Sequence, residues 1–172
     1  YGSCKGGAIH FMEYHAIEDE YAWSRIQTVL EERVKAGVEV RVFYDDMGSI
    51  GFVNLSFARK LEAKGIACRV FNPLLPGLNM FLNNRDHRKI TVIDGKVGYT
   101  GGYNLANEYF NYTHPYGEWK DTGIRLEGDA VASLTAAFFG NVGSIREDSG
   151  RCGCSGYRGT EKISGTASVS GK

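Results

Sequence analysis

The stretch His87-Arg88-Lys89-Ile90-Thr91-Val92-Ile93-Asp94-Gly95-Lys96-Val97-Gly98-Tyr99-Thr100-Gly101-Gly102-Tyr103-Asn104 decides how this chain folds around its chemistry. Ile90 to Ile93 and Val97 to Thr100 read as two strands, and Asp94-Gly95 between them suits a tight two-residue hairpin turn. With two residues in the turn, opposed positions sum to 189, so Lys89 faces Thr100 and His87 faces Gly102. Side chains alternate along a strand, so His87 and Lys89 share one side while Arg88 and Ile90 take the other. Asn104 falls diagonally beside His87. Gly102, lacking a Cβ, then leaves a phosphate-sized hollow opposite the imidazole, and Gly101 lets the backbone approach whatever fills it.

Displacement at phosphorus suits such a set. A neutral imidazole attacks in line, while Lys89 and Asn104 donate to the non-bridging oxygens as their charge builds. A second proton donor must then serve the leaving alkoxide. His10, His15 and His114 carry no geometric argument for that task and read as surface or core residues.

Outward from the hairpin, the first half alternates strands and helices. Ile9 to Tyr14 is an apolar run. Tyr21, Trp23, Ile26, Val29, Leu30 and Val34 recur at helical spacing up to Gly37, a natural left-handed cap. Val38 to Tyr44 is a strand with Val38, Val40 and Val42 on one face. Phe52 to Ala63 reads as a second helix ended by Gly65, and Ala67 to Phe71 as a third strand. Loops this short imply parallel neighbours with right-handed crossovers. Asp129 to Phe139 reads as a closing helix, with Val131, Leu134, Ala137 and Phe138 on one face. The expected fold is α/β, a mixed sheet flanked by helices.

The chain has 172 residues, enough for one domain of roughly 150 and a short extension, which excludes a two-domain machine. From residue 143 onward, 7 Gly and 6 Ser among 30 residues, without apolar period, describe a tail that cannot offset its ordering entropy. The domain is therefore expected over residues 1–142, with 143–172 as a disordered or non-native tail. No run approaches the roughly 18 apolar residues of a membrane-spanning helix. The start, Tyr1-Gly2-Ser3-Cys4, has neither an initiator Met nor a signal-peptide pattern, so the chain reads as a piece of something longer. Cys152 and Cys154 form a C-x-C without a second pair, too few ligands for structural zinc, so neither metal nor cofactor is expected. Up to Val142 there are 15 basic and 17 acidic residues, a net −2, which argues against nucleic acid as a partner.

His87, Lys89, Asp94, Gly101, Gly102 and Asn104 reproduce the H-x-K-x4-D-x6-G-G-x-N signature without a gap, and on it the chain resembles the phospholipase D superfamily. Asn83-Asn84-Arg85-Asp86, Asn72-Pro73, Asp45-Asp46-Met47-Gly48-Ser49, Asn107-Glu108-Tyr109 and Trp119-Lys120-Asp121-Thr122 extend the likeness, over roughly Ala8 to Val142, to the first catalytic half of bacterial cardiolipin synthases. The resemblance implies a membrane-anchored bacterial enzyme with two such signatures, one histidine forming a phosphohistidine and the other acting as acid. It implies phosphatidylglycerol and other phospholipids at a membrane surface as substrates. It also implies a second signature-bearing half as partner, in the same polypeptide or in a homodimer. Two alternatives stand beside it: a homodimeric nuclease of the same superfamily, which would need a basic groove, and an inactive truncated fragment.

The signature includes Asp94, yet the hairpin puts it in the turn, where its ordinary role is to hold that turn. Family members place a carboxylate some way after the histidine to orient an imidazole. That makes Asp121 the second candidate, for His87 or for the partner's histidine, with Glu118 behind it. Leu74, Leu75, Leu78, Met80, Phe81 and Leu82 form an apolar loop that either admits acyl chains or folds over the core. Tyr103, Tyr109, Phe110, Tyr112 and Tyr116 form an aromatic cluster whose ordinary reading is packing of the Gly-rich segment.

Overall fold

Three parallel strands, β1 (Ile9–Tyr14), β2 (Glu39–Asp45) and β3 (Ala67–Phe71), open the domain in the computed structural model, which describes residues 8–54, 56–73 and 85–144. Helices α1 (Tyr21–Lys35) and α2 (Phe57–Ala63) make the two crossovers. Then β4 (Lys89–Ile93), β5 (Val97–Gly101) and β6 (Gly123–Glu127) run antiparallel, and α3 (Ala130–Ser144) closes the described chain. The six strands lie in the order β3-β2-β1-β4-β5-β6, with β4 antiparallel to β1. This is the mixed sheet flanked by helices that the alternating pattern predicts.

Strand alternation sorts the core into two layers. Met12, Tyr14, Val40, Val42 and Tyr44 point to one face and bury Trp23, Leu30, Phe57 and Leu61 of α1 and α2. Phe11, Phe43, Ile90 and Val92 point to the other and meet Val131 and Phe138 of α3. Each such large apolar side chain withdrawn from water contributes about 2 kcal/mol.

Four expectations need correction. The second helix begins at Phe57, not Phe52, because Ser49 takes the Phe52 and Val53 amides into a turn and the Asn54 side chain holds the amide of Ser56. The second strand runs Glu39–Asp45, one residue later than expected. The closing helix runs Ala130–Ser144 rather than Asp129 to Phe139. The hairpin register is also shifted: Ile90 pairs with Thr100 and Ile93 with Val97, so opposed positions sum to 190. Asp94 and Gly95 do adopt φ of 54° and 63°, as a two-residue turn requires, and Lys96 donates to the Ile93 carbonyl. Lys96 is nevertheless an extra residue outside the ladder, because its own carbonyl is taken by the Gly128 amide. The apolar loop over Leu74–Asn84 and the tail beyond Ser144 lie outside the described residues.

Candidate active site

The site gathers where β1 and β2 end and β4 begins, outside the carboxyl ends of parallel strands, the usual place for ligands in open α/β sheets. Lys89 is the first residue of β4 and is 3% exposed, packed on the α1/α2 face of the sheet with Tyr14 opposite it. Two residues earlier, His87 is exposed. The Lys89 ammonium reaches back along the strand to lie 2.9 Å from Nδ1 and 3.3 Å from Nε2 of His87, and donates to the His87 carbonyl at 2.9 Å. An ammonium only donates, so it favours an imidazole that still has a lone pair. Burial, then the Lys89 charge, then His15 lower the His87 pKa from its ordinary value. Burial also lowers that of Lys89, against the pull of Asp86 and Asp121.

A buried scaffold holds this pair from behind. The Asp45 carboxylate, at the end of β2, accepts the Asp86 and Gly48 amides at 3.0 and 3.1 Å and pairs with Arg85. On the α3 face, Arg88 joins Glu13 at 2.9 Å, Asp86 at 3.2 Å and the Ala137 carbonyl at 3.2 Å. Glu13 is fully buried; desolvation and the neighbouring Asp86 raise its pKa to about 9, so at neutral pH it is a protonated acid bonded to Asp86. Burial pushes Asp86 upward too, but hydrogen bonds from Glu13 and Arg88 outweigh it and leave the Asp86 pKa lowered. A carboxyl side chain, Glu13, inside the apolar run Phe11-Met12-Glu13-Tyr14 is the one sequence signal for this support.

Asn104 is buried at 5% exposure. Its carbonyl accepts the Ala16 amide at 3.2 Å and its amide donates to the Tyr109 hydroxyl at 3.0 Å. An amide nitrogen has two protons, so one remains for a ligand. Continuing the observed register puts Lys89, not His87, on the rung of Gly101. The space at the glycines is used differently from the expected hollow. A Cβ on Gly102 would strike the Asp121 carboxylate, and one on Gly101 would lie 2.7 Å from the Thr122 carbonyl and from Tyr103. The Gly102 amide donates to Thr122 at 3.2 Å. The glycines thus admit Asp121, Tyr103 and the neighbouring strand.

Asp121 is exposed; it accepts from the Trp119 indole at 3.3 Å and from the Thr122 amide at 2.7 Å. Glu118 is exposed as well. Asp94 lies in the turn at the far end of β4, roughly 20 Å of extended strand from His87. There it accepts the Ile9 amide at 2.9 Å and lies 3.8 Å from His10. Tyr103 packs on the core and Tyr109 on Trp119, whereas Phe110, Tyr112 and Tyr116 remain exposed. His114 is exposed. His15, for which neither spacing nor alternation provides a signal, lies with its ring centroid 4.5 Å from that of His87. An open depression of about 450 Å³ beside the imidazole is lined by Phe71, Arg85, Asp86, His87 and Arg88.

A family model described as "Cardiolipin synthase, PLD-like domain" matches residues 10–136. The chain belongs to this family. This PLD-like domain is 47% identical over 128 residues to an uncharacterized protein of Streptococcus mutans, covering 74% of the chain and 28% of that protein. It is 42% identical over 131 residues to a cardiolipin synthase of Staphylococcus aureus, covering 76% and 26% respectively. The domain thus spans about a quarter of the length of the curated relatives it matches. Among solved structures, it is similar to Nuc, a phospholipase D family member from Salmonella typhimurium, with TM-score 0.57, 15% identity and 78% of each chain covered. NucT from Helicobacter pylori follows at TM-score 0.53 and 16% identity, with 79% of each chain covered. At these identities the likeness is one of fold. Among the described residues, no helix of the PLD-like domain is long and apolar enough to cross a membrane.

Proposed function

We propose that this domain is one half of a phosphatidyltransferase that makes cardiolipin from phosphatidylglycerol at a bacterial membrane surface, through a phosphohistidine on His87. The observation that carries the reading is the 2.9 Å approach of the Lys89 ammonium to a ring nitrogen of an exposed imidazole. The lowered His87 pKa supports it, because only a neutral ring can attack.

In the first step a ring nitrogen of His87 attacks phosphorus in line. The N–P bond forms as the P–O bond to glycerol breaks, and the departing alkoxide takes a proton from the histidine of a second signature-bearing half. In the second step that histidine removes the proton from a hydroxyl of another phosphatidylglycerol. The hydroxyl oxygen bonds to phosphorus, the N–P bond breaks, and His87 returns neutral. Water in place of the alcohol gives hydrolysis. Lys89 and the remaining Asn104 N–H stabilise the non-bridging oxygens, an effect worth about 3–4 kcal/mol per donor in comparable sites. Asp121, exposed near the glycines, is assigned to the imidazole of the second half. The scheme uses no cofactor or metal.

The experiment compares the isolated chain with an enzyme carrying both halves, on phosphatidylglycerol vesicles and on a DNA oligonucleotide, with mass determined by size exclusion. The reading predicts lipid turnover by the two-half assembly and weak or no turnover by the monomer. Efficient turnover by a pure monomer, or cleavage confined to DNA, rejects it.

A further inference from the structure

The transfer scheme leaves His15 without a task, yet no other ring approaches His87 as closely among the described residues. The chain bends at His15 directly after β1 and holds the ring from two sides. Its Nδ1 lies 2.8 Å from the Asp86 carbonyl. A carbonyl only accepts, so Nδ1 carries the proton and the tautomer is fixed. From the β2 side, the loop at Gly48 presses on the imidazole: a Cβ there would lie 2.7 Å from both Cε1 and Nε2. The remaining side of the ring meets His87, centroid to centroid at 4.5 Å with the planes tilted by 44°. The same segment secures Asn104, whose side chain holds the amide of Ala16.

We propose, building on the reading of His87 as the reactive imidazole, that His15 is a positioning residue, a fixed second imidazole that props the His87 ring in its attacking orientation. The device is local. The Asp86 carbonyl that holds His15 belongs to the residue just before His87, so movement of the catalytic segment carries its prop with it. His15 also acts on charge. The groups facing His87 are Lys89 at the start of β4, His15 directly after β1, Asp86 beside it and Asp45 at the end of β2. Lys89 and His15 oppose a positive charge on the His87 ring, and the two carboxylates favour one. Removing His15 takes away one of the two neighbours that disfavour protonation of the His87 ring and is expected to move the His87 titration upward.

The test is an NMR titration of the four histidine rings in the 172-residue chain, in wild type, His15→Asn and His15→Phe. Asparagine keeps a donor near the Nδ1 position but has neither ring nor charge; phenylalanine keeps the ring alone. The His87 midpoint is expected to rise in both variants, and the His87 ring-current shift to be lost in His15→Asn and retained in His15→Phe. In an enzyme carrying both halves, kcat of His15→Asn is expected to fall about ten- to a hundredfold with KM within about threefold, and His15→Phe to recover part of the loss. An unmoved His87 titration and ring shift in both variants overturns the inference, and so does an unchanged kcat in both. A shifted titration in a two-half enzyme that turns over no phosphodiester upholds the imidazole pair and rejects the transfer reading instead.

Discussion

The Lys89 ammonium lies 2.9 Å from Nδ1 of His87 and equally close to the carbonyl oxygen of the same residue. One cation therefore fixes both the backbone and the ring of the exposed histidine while staying buried itself. A phosphate reaching the imidazole also reaches the ammonium, which has a third proton to give.

Replacing that cation should cost rate more than fold. Lys89→Met keeps much of the buried stem and removes the donor, so kcat in a two-half enzyme is expected to fall about 10²- to 10³-fold. The His87 titration is expected to move upward in the same variant, since Lys89 opposes its protonation. Steady-state kinetics and histidine NMR check the two effects. A loss under about threefold would remove Lys89 from the chemistry.

Glu13 gives a prediction about stability and pH. Its pKa in the fold is about 9 against 4.5 ordinarily, so the folded state holds a proton that the unfolded chain releases. The resulting penalty is absent below about pH 4.5 and grows as pH rises toward 9. Glu13→Gln keeps an N–H for Asp86 and an oxygen for Arg88 but cannot ionise. Its Tm is expected to match wild type at pH 4 and to exceed it at pH 8 by several degrees, at about 2–4 °C per kcal/mol. A lower Tm at pH 8 contradicts this account of the buried cluster.

Gly102 and Asp121 can be separated by a pair of variants. Gly102→Ala pushes a methyl group against the Asp121 carboxylate, the far end of an exposed side chain that can swing aside, so it is expected to displace that carboxylate at little cost in stability. Adding Asp121→Gly removes the clash and should leave stability unchanged but turnover low, because the carboxylate assigned to the second imidazole is gone. Denaturation midpoints and kinetics on the same samples decide the matter. Full recovery of kcat in the double variant would leave Asp121 without a part in the reaction.

Helix α1 has no side-chain cap of its own at Glu20; the side-chain Oδ1 of Asn107, from the turn Asn107–Phe110, accepts the Ala22 amide at 2.8 Å. Asn107→Ala is therefore expected to destabilise by about 1–2 kcal/mol, while Asn107→Asp, which keeps an acceptor, loses less. Urea denaturation reads the difference, and equal losses would refute the cap.

Much of the fold was legible because both of its periods are strong. Val38, Val40 and Val42 mark a half-buried strand, and Tyr21 to Val34 mark a helix, by spacing alone. The hairpin was legible as a hairpin, but its register depended on where Lys96 sends its carbonyl, and the recipient, Gly128, is 32 residues away. That one extra residue moved Gly102 off the His87 rung. The meeting of His87 and Lys89 was readable from alternation within one strand. The His15 contact was not, since it requires the parallel β1 ending beside the start of an antiparallel β4. Glu13 and Asp86 were likewise invisible as a pair, because Glu13 lies in β1 and Asp86 just before β4, and only the pairing of β1 with β4 brings the two carboxyl groups and Arg88 together.

If phosphatidyl transfer passes through His87, the two products must appear together and vanish with the imidazole. Glycerol released from phosphatidylglycerol vesicles, measured together with the cardiolipin formed, tests it most directly in an enzyme carrying both halves and in its His87→Ala variant. Equal amounts of the two products are expected from the wild-type enzyme, and a loss of at least about a thousandfold in the variant. Undiminished release of glycerol by His87→Ala, or a wild-type enzyme that leaves phosphatidylglycerol intact, contradicts it.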